Sequence, residues 1–434
     1  MAAFDNYIVT FGDRNGDNTI TSDVLGFSTV IEAGIGQFGK MTANLTVDNN
    51  TGNYTPEEGG GNGTYKTVDW YSQRLEIKAV TGTGTVTPRT TIVFSGVIRS
   101  IDITDNGINS TVNIAAVDWL QTATGTPADI TESTSAVNVD TAINRALEGV
   151  SGYGNGVTLQ NFGDATATIN PAVFNISSSV SQIARPAQTN VEALDIVSQT
   201  QLPAGPFVNY PGEIEFNTSP KTTDFNYYLL NRTLEKDVFF RGNVKFSENP
   251  TAPTVTTAEL PATALRVDFT TDNLTTVTSA TSGLAGSTTQ TVTATAAAEK
   301  YGSRSRVYNK TANLSDADAL GVANFWTNRQ STIRYTPAQL TTTVSAIVAA
   351  CGINSNVALS YLFSAKLLPF SICEVEYTPT GGTQISQATV VRRRTIRATP
   401  ADTTITLDLL PAVDYQSFTL DSTVLGVLDE NRLG

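Results

Sequence analysis

Residues 24–56 read VLGFSTVIEAGIGQFGKMTANLTVDNNTGNYTP, and their second half decides the fold. Met41, Ala43, Leu45 and Val47 alternate with Thr42, Asn44, Thr46 and Asp48, which is the period-two pattern of a strand with one buried face. The run ends at Asp48-Asn49-Asn50-Thr51-Gly52. There the Asx side chains can bond their own backbone and Gly52 is free to take positive φ, so the chain reverses. The alternation then recurs. Leu75, Ile77 and Ala79 form one file, and Val93, Ser95, Val97 and Arg99 step against Phe94, Gly96, Ile98 and Ser100. Ile101 and Ile103 alternate with Asp102 and Thr104, Asp105-Asn106-Gly107 makes a turn, and Val112 and Ile114 resume the pattern. This is an Asx-Gly hairpin. So many strands within about a hundred residues predict a sandwich or small barrel, and no helical periodicity competes for the stretch.

Taken in order, VLGFST, FGKMTANLTVDNNTGNYTP, QRLEIKAV, VFSGVIRSI and STVNIAAVDWLQ resemble the opening domain of the minor tail proteins of long-tailed bacteriophages that form the tail-tip or baseplate hub. The matching marks are Val47-Asp48-Asn49 with Tyr54 and Pro56, then Phe94-Ser95-Gly96-Val97-Ile98, then Asp118-Trp119-Leu120. Further along, Gly212-Glu213-Ile214-Glu215-Phe216, Tyr301-Gly302 followed by an Ala-rich helix, and Tyr335-Thr336-Pro337 are similar to the same family. So is the closing Leu420-Asp421 through Leu425-Gly426-Val427-Leu428-Asp429. The resemblance implies a structural virion protein with no cofactor and no catalytic residue. It implies a homotrimer whose two tube-like domains per chain make a pseudo-six-fold ring. Such a hub joins the tail tube and distal tail protein to a central spike or fibre, meets the tape-measure protein, and forms part of the DNA-ejection channel at the virion's tail tip.

Composition agrees with an assembling protein. The chain has 434 residues, enough for two to four domains, and only 15% of them are charged. Charge is depleted from the cores of protein interfaces, and the composition does not suit a disordered tail. A net charge of −13 disfavours phosphate neutralisation as the main task, since nucleic-acid affinity comes largely from Lys and Arg. A tube through which DNA slides would gain from an acidic lining. The chain contains no His, which removes Ser-His-Asp, Cys-His and zinc-hydrolase mechanisms within it. Cys351 and Cys373 are its only cysteines, too few for a disulfide framework, and they are expected to be free buried thiols. The N-terminus has no basic region and carries Asp5 where a signal core would be apolar. No apolar run approaches the roughly twenty residues of a membrane span, so synthesis in a host cytoplasm is expected.

Four candidate sites stand out. Asp13, Asn15, Asp17 and Thr19 match the first, third, fifth and seventh positions of a calcium loop. The match fails at Asn18, where Gly is expected, and at Val24, where an acid is expected, with Asp23 one residue early. A polar hairpin feeding Val24-Leu25 is the expected reading, with no metal. Arg392, Arg393, Arg394 and Arg397 form a basic cluster that cannot make one continuous patch on a strand unless a bulge intervenes. Ion pairs with acidic neighbours are its expected use. Trp70, Tyr227 and Tyr228 would serve as a sugar platform if the chain were instead a distal tail protein or a receptor- or glycan-binding module. An Asp/Glu pair would serve if it were a wall hydrolase, but no spacing marks one.

The predicted organisation is mainly β with a smaller α+β part, two tube-like β-barrel or sandwich domains flanking a mixed middle. Residues 1–122 form the first β-domain, 123–249 a small α+β domain, and 250–434 a linker, a helix at 315–330 and the second β-domain. The middle takes helices at Asp140–Gly152 and from the Thr189-Asn190-Val191-Glu192 capping box, then strands around Phe207–Phe216 turned by Tyr210-Pro211-Gly212. Gly59–Gly63 lies in a surface loop, Pro250–Pro261 in a linker, and Ser279–Ala298 in a long hairpin or loop. The 315–330 helix is capped by Ser315 and turns Leu320, Ala323 and Trp326 or Phe325 inward. From Leu340 onward strands are expected to dominate.

Overall fold

The alternating file of Met41, Ala43, Leu45 and Val47 is fully buried in a strand over Lys40–Asp48. Its turn forms as the side chains dictate. Asp48 accepts from the Asn50 amide at 3.0 Å, Asn49 Oδ1 accepts from the Tyr54 amide at 2.9 Å, and Gly52 sits at φ +68°. The computed structural model describes residues 7–117 and 241–412 together with five strands between 137 and 229. Within the two long stretches it leaves out 14–15, 33–39, 56–72, 82–88, 249, 251–257, 269–273, 283–285, 312–314, 334–335, 353–354, 364–366, 368 and 370. The expected helices at Asp140–Gly152 and Thr189, the Gly59–Gly63 loop, the Tyr210-Pro211-Gly212 turn and the closing segment Asp421–Gly434 lie outside the described residues.

Strands dominate the chain. The first part carries β1 (Tyr7–Asp13), β2 (Gly16–Thr19), β3 (Val24–Glu32), β4 (Lys40–Asp48), β5 (Arg74–Thr81), β6 (Arg89–Asp105) and β7 (Ser110–Val117). The middle shows β8 (Val137–Asn138), β9 (Val157–Asn161), β10 (Thr168–Ile169), β11 (Ala204–Asn209) and β12 (Thr223–Leu229). The last part holds β13 (Arg241–Ser247), β14 (Ala258–Pro261), β15 (Ala264–Asp268), β16 (Val277–Ser282), β17 (Gln290–Thr293), β18 (Ser305–Thr311), β19 (Thr336–Thr343), β20 (Ile372–Tyr377), β21 (Ile385–Ala398) and β22 (Thr403–Pro411). The fold is mainly β.

One fourteen-stranded sheet takes strands from both ends of the chain, in the order β14-β13-β20-β21-β3-β4-β7-β6-β5-β1-β2, with β22, β19 and β15 branching from β21. The junction is β21. Its first half pairs with β20 and its second half with β3, while its other edge pairs with β22. The sheet curls back on itself at the start of the chain. Tyr7 of β1 lies five strands from β3 in the sheet order, yet its ring meets Phe27 edge-on at 4.9 Å and its hydroxyl donates to Thr403 Oγ1 at 3.2 Å. Burial pushes that hydroxyl's pKa up, which suits a donor held in the core. The β6–β7 hairpin follows its Asx-Gly signal: Asp105 accepts from the Gly107 amide at 2.8 Å, Asn106 accepts from Ile108 and Asn109, and Gly107 adopts φ +80°.

Two helices missed by the sequence reading cover the concave side. Residues Val344–Cys351 form α3 and Ser355–Phe363 form α4, where strands were expected after Leu340. The run VSAIVAAC is apolar on almost every side, so it lacks the polar stripe that marks a surface helix. Its capping is nonetheless built in. Thr343 accepts from the Ala346 amide at 3.1 Å, and Gly352 ends the helix at φ +53°. Asp402, in the β21–β22 turn, accepts from the Ser345 amide at 3.1 Å, from the Thr403 amide at 2.7 Å and from the Ser345 hydroxyl.

Burial alone would raise the Asp402 pKa, but the hydrogen bonds from Ser345, Thr403 and Thr343 outweigh it and hold the carboxyl below its ordinary value. A carboxylate with a lowered native pKa stabilises the fold fully above the unfolded value, and this contribution drains away as pH falls through the native one. Asp402→Ala is therefore expected to cost about 1 kcal/mol near neutrality. Melting curves of both proteins across pH would show the gap closing only in acid.

Between β15 and β19, which pair with each other, the chain makes a small α+β insert. Its sheet runs β17-β16-β18, and helices α1 (Thr295–Tyr301) and α2 (Asp316–Gln330) belong to it. The expected hairpin within Ser279–Ala298 is present as β16–β17, but its end turns into α1. On α2 the inward residues are Ala319, Val322, Ala323 and Trp326. Leu320, expected inside, is 38% exposed. Small alanines face the sheet because it presents short side chains, with Thr327 donating to Thr278 at 2.8 Å. Trp326 lies under the Arg306 guanidinium at 3.9 Å, a cation–π stack that holds β18 on the helix.

Candidate assembly surface

The run β15-β19-β22-β21-β3-β4-β7-β6 crosses the molecule from the last part of the chain to the first, and every pairing in it is antiparallel. Alternation gives these strands one apolar face. On that side Leu340, Leu407, Ile396, Ile31, Leu45 and Ile114 are buried against the helices and the curled β1 and β5. The opposite face is half-exposed and polar, built largely from Thr, Asn and Ser. Thr46 donates to Asn113 at 2.7 Å across β4 and β7, and Thr341 and Thr406 face each other at 3.4 Å across β19 and β22. Thr404, Thr395, Thr42 and Asn44 belong to the same face.

The charges on this face are arranged as a row. Gln339 Nε2 donates to Asp408 Oδ1 at 2.9 Å, and Asp408 Oδ2 takes Arg393 Nη2 at 2.5 Å. Arg393 Nη1 lies 3.6 Å from Glu32, whose other oxygen accepts from Lys40 Nζ at 2.8 Å. The row steps through β19, β22, β21, β3 and β4, so it bridges the seam between the two ends of the chain. Half-exposed pairs of this kind add about 0–1 kcal/mol each. Their larger effect is to cancel one another, leaving a wall of hydroxyls and amides with little net field.

A bulge between Val391 and Arg393 sorts the arginine cluster. Arg393 enters the polar row, Arg392 and Arg397 are exposed, and Arg394 is turned into the core. The bulge allowed for in the sequence exists, and it splits the basic run instead of gathering it. Glu32, Lys40, Gln339 and Asp408 carried no signal of their own, because each comes from a different strand. The basic run was the only readable hint of the row.

The other candidate residues fall elsewhere. Asp13, Asp17 and Thr19 lie in the paired strands β1 and β2, with Asp13 opposite Gly16 and Gly12 opposite Asp17, and Asn15 lies outside the described residues. Asp23 accepts from the Tyr54 hydroxyl and from Ser22 Oγ at 2.9 Å. Among the described residues no group of three acids or cysteines is placed to hold a metal ion. Trp70 lies outside the described residues, and Tyr227 and Tyr228 sit in β12 without described side chains. Among the buried acids, Glu76 is bound by both Arg74 and Lys78. Cys351 and Cys373 are buried free thiols, and burial pushes the Cys373 pKa up to about 12. None of the described helices is long and apolar enough to cross a membrane.

This architecture has solved counterparts. The tail protein from Neisseria meningitidis MC58 superposes with a TM-score of 0.54 at 11% identity, covering 93% of this chain and 96% of that one. The chain shares its fold with that tail protein. The 43 kDa tail protein of prophage MuSo2 from Shewanella oneidensis gives 0.53 at 9% identity, covering 94% of this chain and 99% of its own. No protein-family model and no curated protein matches the sequence. The shared fold thus covers more than nine-tenths of the chain, at low sequence identity.

Proposed function

We propose that the chain is a structural protein of the distal end of a phage tail, the hub at which tail tube and distal tail protein give way to the central spike or fibre. The observation that carries this reading is the polar, charge-balanced face of the long antiparallel sheet, built jointly by the two ends of the chain. A monomeric enzyme has little use for a broad, smooth wall of threonines. A ring has a direct use for it, as the lining of a channel. The tail-protein fold, the absence of His and the low charge content support the same reading.

In this proposal residues 1–122 and 250–434 supply the two tube-like units, with β13 joining the sheet of the second, the rest of 123–249 forms the α+β part, and three copies close a ring of pseudo-six-fold character. The tape-measure protein occupies or abuts the channel, and DNA passes without specific binding. The lining differs from the acidic wall that the net charge invited. Its acids are matched by Arg393 and Lys40, so phosphate slips past neutral hydroxyls, with few free cations to hold it and little net repulsion to drive it.

Antibody labelling of intact particles tests the location. Label at the tail end farthest from the capsid is expected. Label on the capsid, or none on particles that package DNA normally without the chain, overturns the proposal.

A further inference from the structure

The insert between β15 and β19 differs in charge from the chain around it. Residues 269–335 hold six basic and four acidic side chains, a net +2, so the rest of the chain carries −15. Three of these cations gather where α1 gives way to β18. Lys300, in the last turn of α1, lies 5.1 Å over the Tyr301 ring, and Gly302 turns the chain at φ +82°. Arg304 is exposed immediately before β18, and Arg306 is half-buried within it.

Among the described residues no carboxylate pairs with Lys300, Arg304 or Arg306, whereas Arg74, Lys78, Lys245, Arg266 and Arg393 each hold one. The acids of the insert are turned to other uses. Asp316 accepts from the Thr288 amide at 3.2 Å and from its hydroxyl at 2.5 Å. Glu299 is exposed beside Lys300, and adjacent helix positions do not face each other.

We propose that this corner of the insert docks an extended acidic segment of a partner protein, with Arg306 as the anchor. The Arg306 guanidinium lies 3.9 Å over Trp326, which stacks in turn on Tyr308 with centroids 6.4 Å apart and planes at 18°. Its Nη1 donates to the Tyr308 hydroxyl at 3.4 Å. The stack fixes the plane of the guanidinium before any ligand arrives, which lowers the ordering cost of binding. The planar fork of N–H donors matches a carboxylate.

Arg304 supplies the second contact. It is two residues from Arg306, and extended backbone separates such positions by about 6.6 Å. A segment that is itself extended, with acids at every second position, repeats that spacing and meets both arginines. Lys300 adds positive charge at the same corner. A DNA duplex fits less well, because its affinity needs many phosphates neutralised at once and the acidic remainder of the chain repels a long polyanion.

Fluorescence polarisation with the full chain at low ionic strength tests the site. The probe is a labelled peptide in which Asp alternates with Thr, beside one of equal composition with its Asp residues in a single block. The alternating peptide is expected to bind, several-fold tighter than the blocked one. Arg304→Glu is expected to weaken it about tenfold, the loss of one charge-assisted hydrogen bond. Arg392→Glu, the same change of charge on β21, is expected to leave it unaltered. Arg306→Lys keeps the charge without the fork, and is expected to weaken binding several-fold.

No binding, equal binding of the two peptides, or equal loss in Arg304→Glu and Arg392→Glu overturns the proposal. So does a DNA duplex or a phosphatidylserine vesicle that binds through Arg304 more tightly than the alternating peptide. Self-association of the chain that Arg304→Glu abolishes also overturns it, since the acidic segment would then be a second copy's. The hub reading stands or falls separately, on the labelling of particles.

Discussion

Replacing Arg394 by Ala is expected to lower the stability of the folded chain by about 3–5 kcal/mol. Arg394 sits on β21 between Leu407 of β22 and Ile31 of β3, at the seam where the two ends of the chain join. It is 2% exposed, and its Nη1 donates to the Leu362 carbonyl at 3.3 Å. That carbonyl belongs to the last turn of α4, where helices leave acceptors without internal partners and favour a cation. Burial pushes the guanidinium pKa down to about 10, so it remains charged at neutral pH. Truncation leaves both a cavity and an orphaned acceptor. Arg394→Met refills the space and removes the buried charge, and is expected to fall within about 1 kcal/mol of the parent, since apolar replacement of buried ionic groups is often neutral. Urea unfolding of the three proteins separates the two contributions. If Met costs as much as Ala, hydrogen bonding to α4 outweighs packing at this site.

Gly96→Ala is expected to be comparably damaging although it adds one methyl group. A Cβ at this position would lie 2.2 Å from the Val117 carbonyl oxygen and 2.7 Å from Phe94 Cζ. Neither neighbour can yield cheaply: the first is backbone within the β6–β7 ladder, and Phe94 is fully buried. The glycine is required because another backbone approaches it closely, not because of its dihedral angles. Overpacking of this kind costs about 1–3 kcal/mol, and more where backbone must move. Thermal melting of Gly96→Ala beside Gly107→Ala is informative. Gly107 adopts φ +80° in open space, so its cost is conformational, about 1 kcal/mol. A smaller loss at Gly96 than at Gly107 would contradict the packing described here.

What was legible in the sequence was local. The files Met41-Ala43-Leu45-Val47 and Leu75-Ile77-Ala79, and the turn at Asp105-Asn106-Gly107, state their structure within a few residues, because side-chain alternation and turn chemistry act at that range. The mainly-β class followed from them. The helices α3 and α4 were hidden for the opposite reason. They lie against the concave face of the sheet, and Val344–Cys351 carries no polar stripe to set their period. On α2, Leu320 misled because it is the largest apolar residue in its turn, whereas Ala319, Val322, Ala323 and Trp326 make the buried face. The joining of β3 to β21 was beyond reach, since nothing in Val24–Glu32 points to a partner hundreds of residues away. The polar row shares that limit: Glu32, Lys40, Asp408 and Gln339 look like ordinary surface residues until pairing brings them into line. The arginine run showed where to look, and only the bulge between Val391 and Arg393 decides which arginine is buried.

The parts of the molecule answer to one geometry. The core of the sheet seals the apolar face with α3, α4 and the curled β1, and Arg394 and Asp402 pin those helices to β21 and β22. That leaves the other face broad and polar, with its row of charges paired. A projection average of the assembled chain, taken along its symmetry axis by electron microscopy, tests this most directly. The account predicts three-fold symmetry around an open channel whose wall is the polar face, continuous from copy to copy. A compact monomer at the concentrations found in particles, or a ring whose channel is lined by α3 and α4 instead of the threonine face, would contradict it.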